Sequence, residues 1–574
     1  MAKGYRPVRR DQPFLFPPDM REWLAADHPV WLVIRAVGRM DTSAFHARRR
    51  TGHAGTAGYD PDMLVTLLVW AYAQGVASSR RMEALCGTDV AFRVICGGNL
   101  PDHVTIARFR RDFADAVTVL FGQVLILCAR LGMGKLGTVA LDGSKVRANA
   151  SKAANRTEES LARLAAERAA AHAETDAAED ALFGDARGDE VPAAAADPST
   201  RDERIDAALA SARAERQRRE RQREEQEEEQ AAKAAQYLAA ARAGTPKAGN
   251  PPAGTAVALA EAKVAREMAA QQAKCEEWER RAAAAAAAGK KPGGRGRPVP
   301  PEQYCRVRKA QAKLNAAWAR EAGAAVKAAQ AAAKDAVIVR NITDPDSRLM
   351  ATRDGSQQCY NPQQVVSQDL LVIATELTGD PTDMAWFEPM MAQAEEAAAL
   401  ILAHQPAAAP ASGDAPREPA SGDAPQEPGS GIGLALADAG YLSRHNLTCP
   451  GPDRLIATGK RRDLEKTARD TDAAQDDGPD GDGPDDDVIT AMAARLATGD
   501  GITAYRQRGH IAETPHGDIK HNMRFRQLSL RGKRKAAAEW RFACAVRNLR
   551  TAISSGHLTH DALDALDAPG PQVT

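Results

Sequence analysis

Three carboxylates stand at positions where metal chemistry could be done. Asp142 ends the run Leu136-Gly137-Thr138-Val139-Ala140-Leu141, Asp438 ends Leu434-Ala435-Leu436-Ala437, and Glu513 precedes Thr514-Pro515 at the expected start of a helix. Strand ends in open α/β sheets are where ligands gather. Acids meeting there would repel by about 4 kcal/mol per pair at ~4 Å and an effective dielectric near 20. A divalent cation removes that cost, and an all-oxygen donor set selects Mg²⁺ or Mn²⁺. Two ions roughly 3.5–4 Å apart can activate one oxygen as nucleophile and stabilise the leaving oxygen of a phosphodiester. Singly, an Asp after a strand is more often a turn former or helix cap.

The third position strengthens the case. From Tyr505 the chain reads Tyr-Arg-Gln-Arg-Gly-His-Ile-Ala-Glu-Thr-Pro-His-Gly-Asp-Ile-Lys. Glu513 and Lys520 are seven apart, two helical turns, and Arg524, eleven from Glu513, continues the same face. An acid beside cations along one helix suits holding a metal and a phosphate together. The plainer alternative is a salt-bridged surface helix.

The elements that must position these residues follow from pattern. Residues 20–130 read as short helices: Asp60-Pro61 is a start signal, Ser78-Ser79-Arg80-Arg81 opens another segment, and Pro101-Asp102-His103 leads into a basic helix with Arg108, Arg110 and Arg111. Small helical units followed by a basic helix suit a DNA groove, against the alternative of a helical scaffold with a charged face. Short β-type runs at 136–142, 360–368, 370–377 and 433–437, broken by helices such as 383–403, predict a mixed α/β core. Residues 152–336, rich in Ala, Glu, Arg and Gln, predict long helices, as an antiparallel hairpin, broken near 244–254 and 290–301. The nonapeptide at 411–419 repeats at 420–428, and the Asp/Gly/Pro run at 470–487 is too poor in apolar residues to fold.

The formal net charge is zero, from 76 Lys and Arg against 76 Asp and Glu, but it is unevenly spread. Residues 1–150 carry 20 basic against 13 acidic side chains, a net of +7, and residues 505–550 carry 12 against 3, a net of +9. Nine Asp and no Lys or Arg lie between Asp470 and Asp487. Two basic regions suit a polyanionic partner. The eight cysteines form no CxxC pair, which argues against a zinc site or disulfide framework and for a reducing cytoplasm. No apolar run reaches the roughly 18–20 residues that span a bilayer, so no membrane partner is expected.

Leu141-Asp142-Gly143-Ser144-Lys145-Val146, Asn341-Ile342-Thr343-Asp344-Pro345-Asp346-Ser347-Arg348, Tyr360-Asn361, Asp438-Ala439-Gly440-Tyr441 and the series Tyr505, Arg508, Glu513, Lys520 occur in that order. With Phe14-Leu15-Phe16-Pro17-Pro18 and Gly188-Asp189-Glu190, this arrangement resembles the DDE transposases of bacterial insertion sequences, in the branch with a helical insertion after the first catalytic strand. The resemblance implies a ribonuclease H-like mixed sheet core with an α-helical N-terminal domain and a long α-helical insertion. Asp142, Asp438 and Glu513 would then be the ligands of two Mg²⁺ or Mn²⁺ ions. Tyr505, Arg508 and Lys520 would lie beside the cut transposon end, although four residues, where the signature usually has three, separate Arg508 from Glu513. The expected organisation is an N-terminal DNA-binding domain at 1–130, core segments at 131–151 and 337–555, the insertion at 152–336, disordered loops near 405–430 and 468–488, and a tail at 556–574.

The function so expected is cleavage at transposon ends and strand transfer into target DNA. The partners are the terminal inverted repeats and the target, with at least a dimer on DNA. The rivals are a two-metal nuclease that cuts without joining and a non-catalytic DNA-binding protein. Phe525, Leu528, Trp540, Phe542 and Leu549 are expected in the core. Arg524, Arg526, Arg531, Lys533, Arg534 and Lys535 are further DNA-backbone candidates, since such contacts release condensed counterions.

Overall fold

The computed structural model describes residues 19, 22–47, 58–167, 170, 201–243, 245, 252, 254–289, 296–335, 337–406, 431–459 and 487–567. The nonapeptide repeat, the Phe14–Pro18 and Gly188–Glu190 blocks and nearly all of the Asp run fall outside them. Nine strands are described: β1 (Thr138–Gly143), β2 (Val146–Arg147), β3 (Asn155–Thr157), β4 (Val339–Asn341), β5 (Arg348–Thr352), β6 (Gly355–Ser367), β7 (Val372–Thr378), β8 (Leu434–Ala437) and β9 (Asp453–Ile456). The chain forms two compact units, one from residues 1–154, 343–477 and 488–574, the other from 155–342 with 478–487.

The first unit is built on a seven-stranded mixed sheet. β1 is central, antiparallel to β6 and parallel to β8, which is parallel to β9. The long β6 serves two neighbourhoods: its first residues pair with β2 and β5, its last with β1 and β7. β1 and β8 are short apolar runs buried at Val139, Ala140, Leu141, Ala435, Leu436 and Ala437, as strands covered on both faces require. The helix Phe387–His404 packs on β6 and β7 through Phe387, Met390, Met391, Ala394, Ala398 and Ile401.

The helix Lys533–Ser554 also covers β7 and is buried along most of its length. Trp540 donates to Thr375 Oγ1 at 2.9 Å, and the Asn548 amide both accepts from Val372 N and donates to Val372 O. All five aromatic and aliphatic residues expected in the core, Phe525, Leu528, Trp540, Phe542 and Leu549, are buried. Two motif acids anchor the start of this helix. Asp344 accepts from the Tyr360 hydroxyl at 2.8 Å and from Gly532 N at 3.3 Å, and Asp346 accepts from Lys533 N at 2.9 Å.

The N-terminal helices follow their start signals. Asp60, Ser78 and Asp102 each cap a helix by accepting a backbone N–H, at Pro61–Ala73, Ser79–Thr88 and His103–Asp112. Helix Pro61–Ala73 is apolar all round and buried from Leu64 to Ala73, the pattern of a helix enclosed by others. Among the described residues no single helix is long and apolar enough to cross a membrane.

The second unit pairs its own two ends, Asn155 with Asn341 in the β3–β4 ladder. Among the described residues it contains three long helices, Arg201–Arg242, Ala256–Ala287 and Cys305–Asp335, rather than the two of a simple hairpin. The expected Gly/Pro breaks at 244–254 and 290–301 lie between these helices, largely outside the described residues. Its apolar contacts are thin: Val264, Ala310 and Leu314 form one small cluster, and Leu161, Ile205, Ala208, Leu209 and Ile342 another.

Within the first unit a buried ion pair joins distant segments. Arg110 donates to Glu539 Oε1 at 2.6 Å, with side chains 9% and 1% exposed. Glu539 also accepts from Tyr72, Ser529 N and Leu530 N. One expectation is therefore corrected: Arg110 does not present its charge to DNA, because it neutralises a carboxylate in the interior. Breaking a buried pair strands the remaining charge at a cost of about 3–5 kcal/mol. Glu539→Gln is expected to lower unfolding stability by that order in denaturant titration, and a loss below about 1 kcal/mol, the range of an exposed pair, would contradict it.

Candidate active site

The parallel pairing of β1 and β8 matches Thr138 with Leu434, Val139 with Ala435 and Ala140 with Leu436. Continuing that register sets Asp142 across from Asp438. Asp438 leaves its strand in extended conformation and caps the 3₁₀ turn Ala439–Tyr441 by accepting from Gly440 N at 2.8 Å. Glu513 comes from the helix Gly499–Gly517, which packs on β1, β6 and β8. It lies well inside that helix and not at its start, since the helix begins at Gly499, capped by Thr498, and continues through Pro515.

Arg508 joins these elements. Its Nη2 lies 3.1 Å from Asp142 Oδ1 and 3.5 Å from Asp438 Oδ2. Burial pushes the Asp142 carboxyl up to about 7, with Asp438 and Asp383 raising it further and Arg508 opposing them. Burial also works against the Arg508 cation, but Asp142, Tyr505, Asp438 and Glu513 outweigh it and hold its pKa above the ordinary value. Glu513 thus belongs to the same electrostatic cluster. Among the described residues, however, only His46, Asp60 and Asp62 bring three possible ligand atoms within 4.8 Å of one another. Asp142, Asp438 and Glu513 share a field but not that spacing.

A divalent cation fits the donor set. All three groups are hard carboxylate oxygens, and two of them already address a single cationic nitrogen. Around them, Lys520 Nζ donates to Ser144 Oγ and to Lys145 O at 2.9 Å, holding the turn that follows Asp142. The Tyr505 hydroxyl donates to Ala437 O at 3.2 Å, beside Asp438. His516, buried and stacked on Trp540, has Nε2 3.4 Å from Asp142 O. Burial, then Lys520, pushes its pKa down to about 3, so it is neutral near pH 7.

The expected single face through Lys520 and Arg524 is also revised. The α-helix gives way to a π-helical turn at Asp518–Asn522, which shifts the angular position of Lys520. Arg524 lies beyond it with φ +53° and packs beside Gly75. Arg524, Arg526 and Arg531 are exposed. Arg526 donates to Lys520 O and Arg531 to Asn149 O, so backbone contacts orient both. Arg80, Arg81, Arg108 and Arg111 are exposed on the N-terminal helices, Arg111 paired with Asp112 at 2.8 Å. Arg534 pairs with Asp115.

One carboxylate near the site was not singled out by sequence pattern. Asp383 Oδ1 accepts from Asn361 Nδ2 and Gln363 Nε2, both at 2.7 Å. The available signal was in β6, where Asn361 and Gln363 are buried polar residues two apart on one strand face.

Residues 18–112 match a family described as a transposase domain (DUF772), and residues 485–553 match one described as a transposase DDE domain. No curated protein and no solved structure matches the chain.

The raised Asp142 pKa sets a pH dependence. A carboxyl whose folded pKa is about 7 and whose ordinary value is 3.8 binds its proton more tightly when folded. Its contribution to stability is complete below about pH 4 and is lost as pH rises through about 7. In thermal melts with chelator, wild type is expected to lose stability relative to Asp142→Asn between those limits. Parallel pH profiles for the two would refute the assignment.

Proposed function

From the premise that the two matched regions indicate an insertion-sequence DDE transposase, we propose that the chain cuts DNA at transposon ends and joins those ends to target DNA, with Asp142, Asp438 and Glu513 as its metal-binding carboxylates. The observation that carries this reading is the convergence of Asp142 and Asp438, 296 positions apart, on one nitrogen of Arg508, which shares a helix with Glu513. The strand order β7-β6-β1-β8-β9, with β6 alone antiparallel to both its neighbours and β8 and β9 parallel to β1, supports a ribonuclease H-like core.

When bound, two Mg²⁺ or Mn²⁺ ions would supply Lewis-acid chemistry for phosphodiester cleavage and transesterification. The chain's own residues do the rest. Asp142 and Asp438, fixed at neighbouring strand ends, and Glu513, on the helix across them, would hold the cations. Arg508, which pairs with Asp142 and Asp438, would be available to a DNA phosphate if divalent cations took its place beside those carboxylates. Lys520 keeps Ser144 and the Asp142 turn in place. Arg524, Arg526 and Arg531, with Arg80, Arg81, Arg108 and Arg111, bind the phosphodiester backbone. No serine or tyrosine serves as a covalent nucleophile. Residues 1–130 bind the terminal repeats, residues 152–336 form an inserted helical arm, and pairing of two ends requires at least a dimer.

Asp142→Ala, Asp438→Ala and Glu513→Ala are each expected to abolish Mg²⁺-dependent cleavage of end-bearing duplexes while retaining end binding in gel-shift assays. Normal cutting by all three would defeat the assignment. Joining of pre-cut ends separates a transposase from a nuclease that only cuts.

A further inference from the structure

Asp383 directly precedes the 3₁₀ turn Met384–Trp386, a place where an Asp ordinarily caps the following turn. Its side chain makes no such cap. It turns instead toward the sheet, where Oδ1 takes both amide donors from β6, Asn361 Nδ2 and Gln363 Nε2. Those two amides are held in turn. Asn361 also donates to Asp380 O at 3.1 Å, and Gln363 Oε1 accepts from the Tyr441 hydroxyl. The carboxylate is thereby fixed by neutral dipoles, and among the described residues no Lys, Arg or His forms an ion pair with it.

The glycines next to the two strand-end acids show where this charge lies. A Cβ at Gly143, adjacent to Asp142, would overlap Asp383 Oδ1 and come within 2.6 Å of Gln363 Nε2. A Cβ at Gly440, two residues after Asp438, would lie 2.9 Å from Asp438 Oδ1 and 3.4 Å from Asp383 Oδ2. At Gly143 a side chain would have to displace Asp383 or Gln363, whereas at Gly440 its contact with Asp383 would be an ordinary one. Oδ1 is engaged by the amides, which leaves Oδ2 on the side facing Gly440 and Asp438.

We propose that Asp383 is a fourth carboxylate of the site, held beside the Asp142 and Asp438 turns by Asn361 and Gln363, which adds its charge to the cation site without being one of the three ligands. The inference rests on the reading of Asp142, Asp438 and Glu513 as cation ligands. A structural prop would need only the shape of the side chain, whereas this role needs its charge. Asp383→Asn separates the two, because the Asn oxygen can still accept from both Asn361 and Gln363. Supporting partners of this kind are worth about 10- to 100-fold in metal affinity.

The test is Mn²⁺ titration of the full-length protein followed by electron paramagnetic resonance, with Asp142→Asn in parallel and end binding without metal as a fold control. Asp383→Asn is expected to weaken Mn²⁺ binding about 10- to 100-fold with end binding intact. Wild-type Mn²⁺ affinity in Asp383→Asn, where Asp142→Asn has lost it, would overturn the inference and leave the three-ligand reading standing. Wild-type affinity in both would overturn both. Should Asp383→Asn fail to fold, Asn361→Ala, which removes one clamp and keeps the charge, is expected to weaken Mn²⁺ binding by a smaller factor, and unchanged affinity there would also overturn the inference.

Discussion

Like charges at the ends of neighbouring parallel strands are the constraint on which the candidate site depends. The β1–β8 register leaves Asp142 and Asp438 side by side, and burial of Asp142 makes their repulsion hard to screen. The fold meets this cost by local means. Arg508 reaches both acids from the helix that carries Glu513, and Gly143 and Gly440 keep the adjoining turns free of side chains. A site that needs a resident cation to hold its acids together is also suited to exchanging that cation for a divalent ion.

The same electrostatic economy governs the rest of the first unit. Arg110 and Glu539 neutralise each other in the interior, and Glu539 uses its remaining acceptor capacity on the backbone at Ser529 and Leu530. This ties the segment bearing Arg524, Arg526 and Arg531 to the helix Lys533–Ser554. Asp344 and Asp346 fasten the first residues of that helix. Acids in the Asp344–Arg348 motif therefore act on architecture, and the exposed arginines are carried on a braced segment. The long second unit begins and ends at paired residues, Asn155 and Asn341, so a large excursion starts and finishes at one place.

Much of this was readable from residue order. Apolar runs ending in Asp142 and Asp438 mark strands because a short continuous apolar run bounded by turn residues is a local property. Start signals at Asp60 and Asp102 became side-chain caps. Other positions could not be read so. Glu513 was placed at a helix start on the strength of Pro515, but packing against the sheet carries the helix through that proline. The π-helical turn at Asp518–Asn522 breaks the seven- and eleven-residue spacing on which Lys520 and Arg524 were grouped. Arg110 sits among surface-type arginines in a basic helix, and nothing near it announces Glu539, more than 400 positions away. Asp383 has the local context of an ordinary helix-start residue, and only Asn361 and Gln363, brought to it by the fold, set it apart.

Sequence by itself determined short-range matters: the strands β1, β6, β7 and β8 and the long helices, but not the shorter strands β2, β3, β4, β5 and β9, and which acids end strands. These are set by interactions within a few residues of each other. Tertiary structure alone decided which charges meet. Whether an arginine faces solvent or a buried carboxylate, and whether Asp383 caps a turn or accepts from Asn361 and Gln363, depends on strand pairing and helix packing between residues tens to hundreds of positions apart. Coulombic energy follows distance in space and the local dielectric, and neither quantity is written in the order of the residues.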